Sequence, residues 1–326
     1  MQHASRIRGI GMVNVATLTW ATNMTLGRWL RDDIGPLTLT TLRFVIAGIV
    51  LAFLLRRHLA RHEEHPRVNR RELALLAGMA LTGVVIFAPA LYLGLRFTTA
   101  VNATLINGFG PLITGLLATL LVGEPMSWRQ LTGACVGLVG VAVLISGGRA
   151  MSDMPHINAG DLLILGTTVL WALYSVLGRL LMRWRSPLFA TTLSTLLGLP
   201  ILLPAAVWEQ SVLPAHVTLR LILAVPYIGI VPSVVGFLAW NAGVHLLGPS
   251  GAMVFYNTLP LYGALVASLF LGEPVGINHL AGAVLIVATL AAILWTRRRA
   301  PRIAFGLAFF WVGLLPVSHI VPFFDA

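Results

Sequence analysis

The sequence predicts an all-α membrane protein of ten transmembrane helices, arranged as two inverted five-helix repeats and followed by an apolar C-terminal tail. Three observations predict this fold class: the composition, the recurring apolar segments and an internal repeat. The chain is 57% hydrophobic and 10% charged over 326 residues, which is too little charge to cover a soluble protein of this size. Its apolar segments have the length that an α-helix needs to cross about 30 Å of hydrocarbon. They do not alternate polar and apolar residues, as the strands of a membrane barrel do.

The apolar segments define the predicted helices. The ten spans are residues 9–29, 36–56, 72–96, 99–122, 128–147, 160–182, 187–207, 219–246, 249–271 and 277–296. Helices are expected because a backbone exposed to lipid must satisfy its own hydrogen bonds. The first span is too long for a cleaved signal peptide, and no small-residue cleavage site follows it. A further apolar stretch, 303–323, has no counterpart in the repeat, so we expect the tail 301–326 to be an accessory helix or a segment foreign to the rest.

The internal repeat is the most specific feature of the sequence. The run Leu-Val-Gly-Glu-Pro at Leu121–Pro125 returns as Phe-Leu-Gly-Glu-Pro at Phe270–Pro274, with the two glycines 149 residues apart. Nearer the start of each half, the matching pairs lie 151 residues apart: Trp20 and Trp171, Arg28 and Arg179, and Pro36 and Pro187. The predicted domains are therefore residues 8–148 and 158–297, each holding five spans. Because five is odd, the second copy enters the membrane in the opposite orientation, which is typical of transporters with a site near the midplane.

The net charge of +11 is a topology signal, and we expect no nucleic-acid partner. The arginines cluster in three segments, 56–71, 183–185 and 297–302, which all fall on the side of an N-terminus carrying Arg6 and Arg8. Arginine-rich loops stay in the cytoplasm. The loop 208–219 has Glu209 and His216 instead, as expected of an outer loop. The pattern predicts a cytoplasmic N-terminus and anionic lipid as a partner.

The motifs resemble a known family. Two five-helix repeats, each with a Gly-Glu-Pro turn before its last helix, resemble the EamA-type members of the drug/metabolite transporter superfamily. The Trp-Ala pairs at Trp20 and Trp171, and Pro36 followed by Arg43-Phe44, fit as well. Within that superfamily the chain looks most like the YddG-type exporters of aromatic amino acids and related metabolites. Over residues 8–297, the resemblance implies ten helices, a bacterial inner-membrane location, termini inside, a central cavity between the repeats, and the fifth and tenth helices as scaffold.

Aromatic and amide side chains inside the spans are the candidates for substrate binding, because an aromatic-lined cavity with a few polar groups suits a flat, partly apolar ligand. The candidates are Trp20, Asn23, Tyr92, Asn102, Asn107, Trp171, Tyr174, Ser175, Trp240, Asn241, Tyr256 and Asn257. Trp171 and Tyr174 are three residues apart and share a helix face. Several of the polar candidates lie beside the repeat-related prolines Pro111 and Pro260, which free backbone carbonyls. The structural alternatives are interfacial anchoring for the aromatics and helix–helix hydrogen bonds for the amides.

The charged residues favour facilitated export. Glu124 and Glu273 each precede a proline at a span end, where an acid and a proline suit a helix start. Arg43 lies inside the second span, and we expect it to have a structural role rather than to contact the substrate. No acidic residue lies deep in a predicted span, so proton coupling through a buried carboxylate is disfavoured. The sequence thus predicts an exporter of small metabolites, foremost aromatic and other neutral amino acids, with a proton-coupled multidrug efflux transporter as the alternative.

Enzymatic activity is not expected. The histidines of His62-Glu63-Glu64-His65 are three apart, whereas a zincin helix needs them four apart. Gly248-Pro249-Ser250-Gly251 resembles the serine motif of intramembrane proteases, but it lies in a short turn, and such a protease has no use for the repeat. The lone Cys135 excludes an intramolecular disulfide. The remaining expectations are no cofactor, no metal, a small-molecule substrate and a monomer.

Overall fold

The computed structural model describes residues 2–30, 32–62, 67–94, 109–123 and 159–256, and the single residues 97, 106, 258, 259, 262 and 266. Its helices are α1 Gln2–Trp29, α2 Pro36–His62, α3 Arg70–Met79, α4 Phe87–Gly94, α5 Gly110–Val122, α6 Ala159–Leu181, α7 Pro187–Val212, α8 Leu219–Ile230, α9 Phe237–Leu247 and α10 Pro249–Tyr256. The described part of the chain contains no strand, as predicted. The spans predicted at 128–147 and 277–296 and the tail 301–326 lie outside it.

Five helical stretches are long and apolar enough to cross a membrane. They are Pro36–Ala60, Arg70–Leu91, Ala159–Leu181, Pro187–Val212 and Leu219–Leu247. Large apolar side chains on them face outward, such as Ile49, which is 67% exposed, and Val207, which is 72% exposed. Exposed apolar surface of this kind marks a membrane-facing or partner-facing protein surface. These observations confirm an all-helical membrane protein.

The first helix is long enough to span a membrane but less apolar than these five. Polar side chains on α1 are buried, among them Thr17 and Thr25, at 0% and 8% exposure. Thr17 exchanges a hydrogen bond with the hydroxyl of Thr258, with an oxygen–oxygen distance of 3.1 Å. Threonine side chains join helices in this way in lipid. The low hydropathy of α1 therefore reflects its enclosure by other helices.

The chain divides into two compact units, Met1–Tyr92 with Leu170–Val266, and Leu93–Val169 with Ala267–Ala326. In the first unit α1 packs along α9, and α2 packs along α7 and α8. In the second unit α5 begins with Pro111 in its first turn and ends at Gly123, whose φ of 72° is left-handed. Glycine adopts that conformation without strain, so the glycine of the first Gly-Glu-Pro motif ends a helix as expected. Glu124, Pro125 and the second motif lie outside the described residues.

Two short π-helical segments interrupt the first unit at matching positions of the repeat. Ala80–Val85 lies between α3 and α4, and Val231–Gly236 lies between α8 and α9. Their first residues are 151 apart, and so are their last residues. The π-helix is rare and often marks a functional site. A shared irregularity at the same repeat distance indicates that the two halves fold alike in this region.

The helices α2 and α7 begin at the repeat-related prolines Pro36 and Pro187, but their first turns are stabilised differently. At α7, the side chain of Ser186 accepts a hydrogen bond from the Phe189 amide at 3.2 Å. At α2, the carboxylate of Glu209 from α7 accepts hydrogen bonds from the amides of Leu37 and Thr38, at 3.0 and 2.7 Å. Both caps satisfy amide groups that a helix start leaves unpaired.

The structure corrects the predicted outer loop 208–219. The helix α7 continues to Val212, five residues beyond the predicted span end. Glu209 therefore lies in the helix and is only 6% exposed, where the sequence predicted an exposed loop. The reason is its role as a cap for another helix, a contact that sequence hydropathy does not encode. Gly35 makes room for this carboxylate, since a Cβ there would overlap it.

Candidate functional site

Most of the described candidate residues meet in the core of the first unit. There, α1 contributes Trp20, α6 contributes Trp171, Tyr174 and Ser175, α9 contributes Trp240 and Asn241, and α10 contributes Tyr256. Trp171 stacks on Tyr174 with ring centroids 5.1 Å apart and meets Trp20 edge-on at 5.0 Å. Trp240 lies 5.4 Å from Trp171 and 5.7 Å from Tyr256. These separations are those of favourable aromatic pairs.

Sequence analysis missed three phenylalanines that belong with these rings. Phe237 contacts Trp20, Trp171 and Tyr174 at 5.9, 5.8 and 5.8 Å. Phe87 lies 5.1 Å from Trp171, and Phe44 lies 5.7 Å from Phe237. A signal was present for two of them, because Phe87 and Phe237 are 150 residues apart, close to the repeat distance. We call Trp20, Trp171, Tyr174, Phe237, Trp240 and Tyr256 the aromatic cluster.

A polar network lies beside the aromatic cluster. The indole N–H of Trp240 donates to the hydroxyl of Ser175 at 3.1 Å, and that hydroxyl donates to the Trp171 carbonyl at 2.9 Å. The side-chain nitrogen of Asn241 donates to the hydroxyls of Tyr174 and Thr191, at 2.7 and 2.9 Å. Ser175 and Asn241 are 0% exposed. The network ties α6, α7 and α9 together with uncharged groups.

Two side-chain atoms of the site have no hydrogen-bond partner. They are Nε1 of Trp171, in a side chain that is 4% exposed, and Oδ1 of Asn241. By contrast, Nε1 of Trp20 donates to the carbonyl of Pro232 at 3.1 Å. An unpaired buried donor or acceptor costs about 1–3 kcal/mol, and native proteins keep few of them. Atoms of this kind require an explanation, and a ligand is one.

Glycines in the two π-helical segments position the aromatic cluster. A Cβ built on Gly83 would overlap the ring of Tyr174. A Cβ on Gly236 would lie 2.8 Å from Nε1 of Trp20 and 2.7 Å from Oγ1 of Thr19. The side chains of Tyr174 and Trp20 therefore each need a glycine opposite them. These contacts could not be predicted from the sequence, because it contains 32 glycines and the contacts join distant segments.

Five candidates belong to neither the aromatic cluster nor the polar network. Asn23 is half-buried on α1. Tyr92 lies in α4, and its side chain is outside the described part of the structure. Asn102, Asn107 and Asn257 lie outside the described residues, as do Thr104 and Pro260. The sequence hypothesis for these residues therefore stays a prediction.

Two arginines of the predicted spans contact protein groups. The Cζ of Arg43 lies 4.6 Å from the ring centroid of Phe44, a cation–π contact, and the residue is 7% exposed. Arg179 on α6 donates to the backbone carbonyl of His245 in the last turn of α9. The contact of Arg43 agrees with the structural role that we expected for it.

A separate cavity of about 220 Å³ lies near the start of α7. Its lining residues are Leu55, His58, Leu59, Trp184, Arg185, Ser186 and Phe189. Arg185 is held there by a salt bridge to Glu72 at 2.7 Å.

Within the described residues, no group of three His, Cys, Asp or Glu side chains could hold a metal ion. The candidate chemistry of the described site is therefore aromatic contact and neutral hydrogen bonding.

Comparison with known proteins identifies the family. The profile of the EamA-like transporter family matches residues 7–146 and again residues 158–295. The uncharacterized transporter YyaM of Bacillus subtilis is 28% identical over 85% of this chain and 90% of its own length. A probable terminal-alkyne amino-acid exporter of Streptantibioticus cattleyicolor is 27% identical over 79% of this chain and 84% of its own length. A solved crystal structure shares the fold, with a TM-score of 0.60 and 19% identity over 98% of this chain and 99% of its own. The chain belongs to the EamA-like transporter family.

Proposed function

We propose that this protein exports small metabolites, foremost aromatic and other neutral amino acids, across a bacterial inner membrane. The observation that carries the proposal is the aromatic cluster, with its uncharged polar network, in the core of a transporter. Stacked and edge-on rings favour a flat apolar side chain, and the amide and hydroxyl groups favour a small polar head. The described members of the site are all uncharged, which suits a substrate without net charge.

The similarity to one relative supports amino acids as the substrate class. The Streptantibioticus cattleyicolor protein is named an amino-acid exporter and matches over most of both chains. Aromatic side chains are our extension of that name, since the relative is named for a terminal alkyne. The extension depends on the tryptophan and tyrosine rings of the aromatic cluster.

The proposed mechanism is alternating access by two inverted five-helix repeats, residues 8–148 and 158–297, with ten spans and a cytoplasmic N-terminus. The double match to one family profile supports two related halves. The paired π-helical segments and the paired starts of α2 and α7 support them as well. We infer that residues 301–326, which follow the second match, are not part of the transport unit.

In the structure the aromatic cluster is closed, because its rings fill the space between one another. Trp171, Tyr174 and Trp240 are at most 4% exposed. A substrate enters only when these rings separate, so we propose that the structure is a closed state of the site. Asn23, Tyr92, Asn102, Asn107 and Asn257 are proposed to complete the site in an open state.

We propose that transport is facilitative. Glu209 is a buried acid that we had expected in an exposed loop. Its carboxylate accepts hydrogen bonds from the amides of Leu37 and Thr38 and from the Thr38 hydroxyl. These bonds give the carboxylate a structural function at a helix start. The alternative, a proton-coupled multidrug efflux transporter, would need an acidic group facing a lipophilic cation, and the aromatic cluster has none among its described residues.

The test is transport by the full-length protein in proteoliposomes. Uptake of labelled phenylalanine, tryptophan, threonine and a lipophilic cation is measured with and without a pH gradient, for the wild type and for Trp171→Ala. We expect saturable amino-acid uptake that does not respond to the gradient and is lost in the variant. Trp208→Ala is the matched control, because Trp208 is 65% exposed and distant in sequence from the cluster residues.

Two outcomes would overturn the proposal. Uptake of the cation without the amino acids would replace it with drug efflux. Amino-acid uptake that rises with an imposed pH gradient would keep amino acids as the substrate class. It would replace the facilitative mechanism with proton coupling.

A further inference from the structure

The two unpaired polar atoms of the site are a donor and an acceptor. Nε1 of Trp171 carries a hydrogen to donate, and Oδ1 of Asn241 carries lone pairs to accept. Both residues are more than nine-tenths buried. Other polar groups nearby are paired, including the Trp240 indole with Ser175. The unpaired pair is thus a local exception in a site that otherwise satisfies its hydrogen bonds.

The two atoms belong to one continuous group of side chains. Trp171 stacks on the ring of Tyr174 at 5.1 Å, and the Tyr174 hydroxyl accepts the Asn241 amide at 2.7 Å. Asn241 follows Trp240 in the chain, and Trp240 lies 5.4 Å from Trp171. The side chains that carry the unpaired donor and the unpaired acceptor are therefore linked through Tyr174 and through Trp240.

Resting on the proposed function, we infer that the Trp171 indole N–H binds the α-carboxylate of the substrate and the Asn241 carbonyl oxygen binds its α-ammonium group. An amino acid at neutral pH is a zwitterion with one strong acceptor and one strong donor. The unpaired donor and acceptor of the site complement those two groups. The site selects for zwitterions with an apolar side chain, since the rings receive the rest of the molecule.

The charge balance explains why both groups of the substrate are needed. Burying a charge without an opposite partner is strongly unfavourable. A zwitterion brings its two opposite charges together and leaves the uncharged site neutral. A ligand with only a carboxylate or only an ammonium group would bring a net charge into it. The cation Arg43 lies beside Phe44, and Phe44 contacts Phe237 of the aromatic cluster. Along these ring contacts, Phe44 and Phe237 therefore lie between Arg43 and Trp171.

The experiment is a competition assay with full-length protein in detergent and labelled phenylalanine. The competitors are unlabelled phenylalanine, N-acetylphenylalanine, which keeps the carboxylate and loses the ammonium, and phenethylamine, which keeps the ammonium and loses the carboxylate. Each single-charge competitor should bind at least about tenfold more weakly than phenylalanine, since a hydrogen bond to a charged group is lost.

Variants of Trp171 and Asn241 test separately which group of the substrate each residue binds. Trp171→Phe should weaken phenylalanine about tenfold or more, and should leave phenethylamine unchanged because that ligand has no carboxylate. Trp20→Phe is the matched control, because its N–H already donates to Pro232 and its loss should affect all ligands alike. Asn241→Asp places a carboxylate at the acceptor position and should strengthen phenethylamine relative to phenylalanine. A gain in affinity cannot result from a folding defect.

The outcomes separate this inference from the proposed function. Equal weakening of all three ligands in Trp171→Phe and Trp20→Phe, with no gain for phenethylamine in Asn241→Asp, would overturn the anchors and leave amino-acid export standing. A wild-type protein that binds no phenylalanine in this assay and transports none in proteoliposomes would overturn the proposed function, and the anchors with it.

Discussion

Trp20 and Trp171 occupy the same position in the two copies of the repeat, yet their indole N–H groups differ in state. Trp20 donates to the carbonyl of Pro232 at 3.1 Å, whereas Trp171 has no acceptor. Both rings lie in one cluster and contact each other at 5.0 Å. The same residue therefore contributes to structure in one copy and has an unused polar group in the other.

The corresponding carbonyls of the two π-helical segments also differ in their partners. Leu81 and Pro232 are 151 residues apart and so correspond in the repeat. The Leu81 carbonyl accepts the amide of Ile86 at 3.0 Å, so it serves its own helix. In the second segment, the amide of Phe237 bonds to Val234 instead, which leaves the Pro232 carbonyl for Trp20. The two copies thus differ in backbone pairing at the carbonyl that Trp20 uses.

Trp20 and Trp171 are thus a matched pair at which the repeat symmetry breaks. The same holds at the starts of α2 and α7, where one helix is capped by Glu209 of its neighbour and the other by its own Ser186. Three experiments, whose substitutions make the copies more alike or remove one side of a pair, test this difference.

The largest effect is expected from Gly83→Val, which copies the residue at the matching position, Val234, into the first segment. The added side chain would overlap the ring of Tyr174, which is 0% exposed and stacked on Trp171. We expect a loss of stability beyond the about 1–3 kcal/mol typical of overpacking, together with loss of transport. The measurement is the melting temperature in detergent with phenylalanine uptake beside it.

The control is Gly11→Val, since nothing lies within 4 Å of a Cβ there. A Gly83→Val protein that melts and transports like the wild type would show that Tyr174 is free to move away. It would contradict the close contact between the first π-helical segment and the aromatic cluster.

The intermediate effect is expected from Glu209→Gln. The substitution removes the negative charge that accepts the Leu37 and Thr38 amides, and bonds to charged groups contribute about 1.5–3 kcal/mol. The matched change Ser186→Ala removes the cap of α7 and should cost about 1 kcal/mol. Melting temperatures should rank Glu209→Gln below Ser186→Ala, and transport by Glu209→Gln, like that of the wild type, should not respond to a pH gradient. A wild type that responds to the gradient beside a Glu209→Gln variant that transports without responding would assign Glu209 to proton coupling.

The smallest effect is the difference between Trp20→Phe and Trp171→Phe in the absence of substrate. Both replace an indole by a phenyl ring, so the packing change is similar. Only Trp20→Phe also breaks a hydrogen bond and leaves the Pro232 carbonyl unpaired, which costs about 1–3 kcal/mol. The melting temperature of Trp20→Phe should be the lower of the two. The reverse order would mean that the Trp171 N–H has a partner in the substrate-free protein.

Much of the fold followed from the sequence because its signals are local or periodic. Hydropathy and length predicted the apolar spans, and prolines predicted the starts of α2 and α7. The fold class is confirmed in the coarser form of an all-helical membrane protein, and membership of the EamA-like family is confirmed. Ten spans, the inverted orientation and the domain limits stay predictions.

The site was predictable in composition but not in arrangement. The position of Trp171 and Tyr174 on one helix face indicated that they act together, and they stack. The bond between Trp20 and Pro232 joins residues 212 positions apart, and no local pattern encodes it. The burial of Glu209 escaped notice for the same reason, since its partners are on α2, 171 and 172 residues away.

The most direct test of the account is to find where the substrate binds. A photoreactive diazirine analogue of phenylalanine is crosslinked to the full-length protein in proteoliposomes, with and without excess phenylalanine, and the labelled peptides are mapped by mass spectrometry. The account predicts phenylalanine-protected labelling of α6 and α9 around Trp171 and Trp240. Protected labelling confined to the cavity near Trp184 and Phe189, with α6 upstream of it and α9 unlabelled, would contradict the central claim that the aromatic cluster is the substrate site.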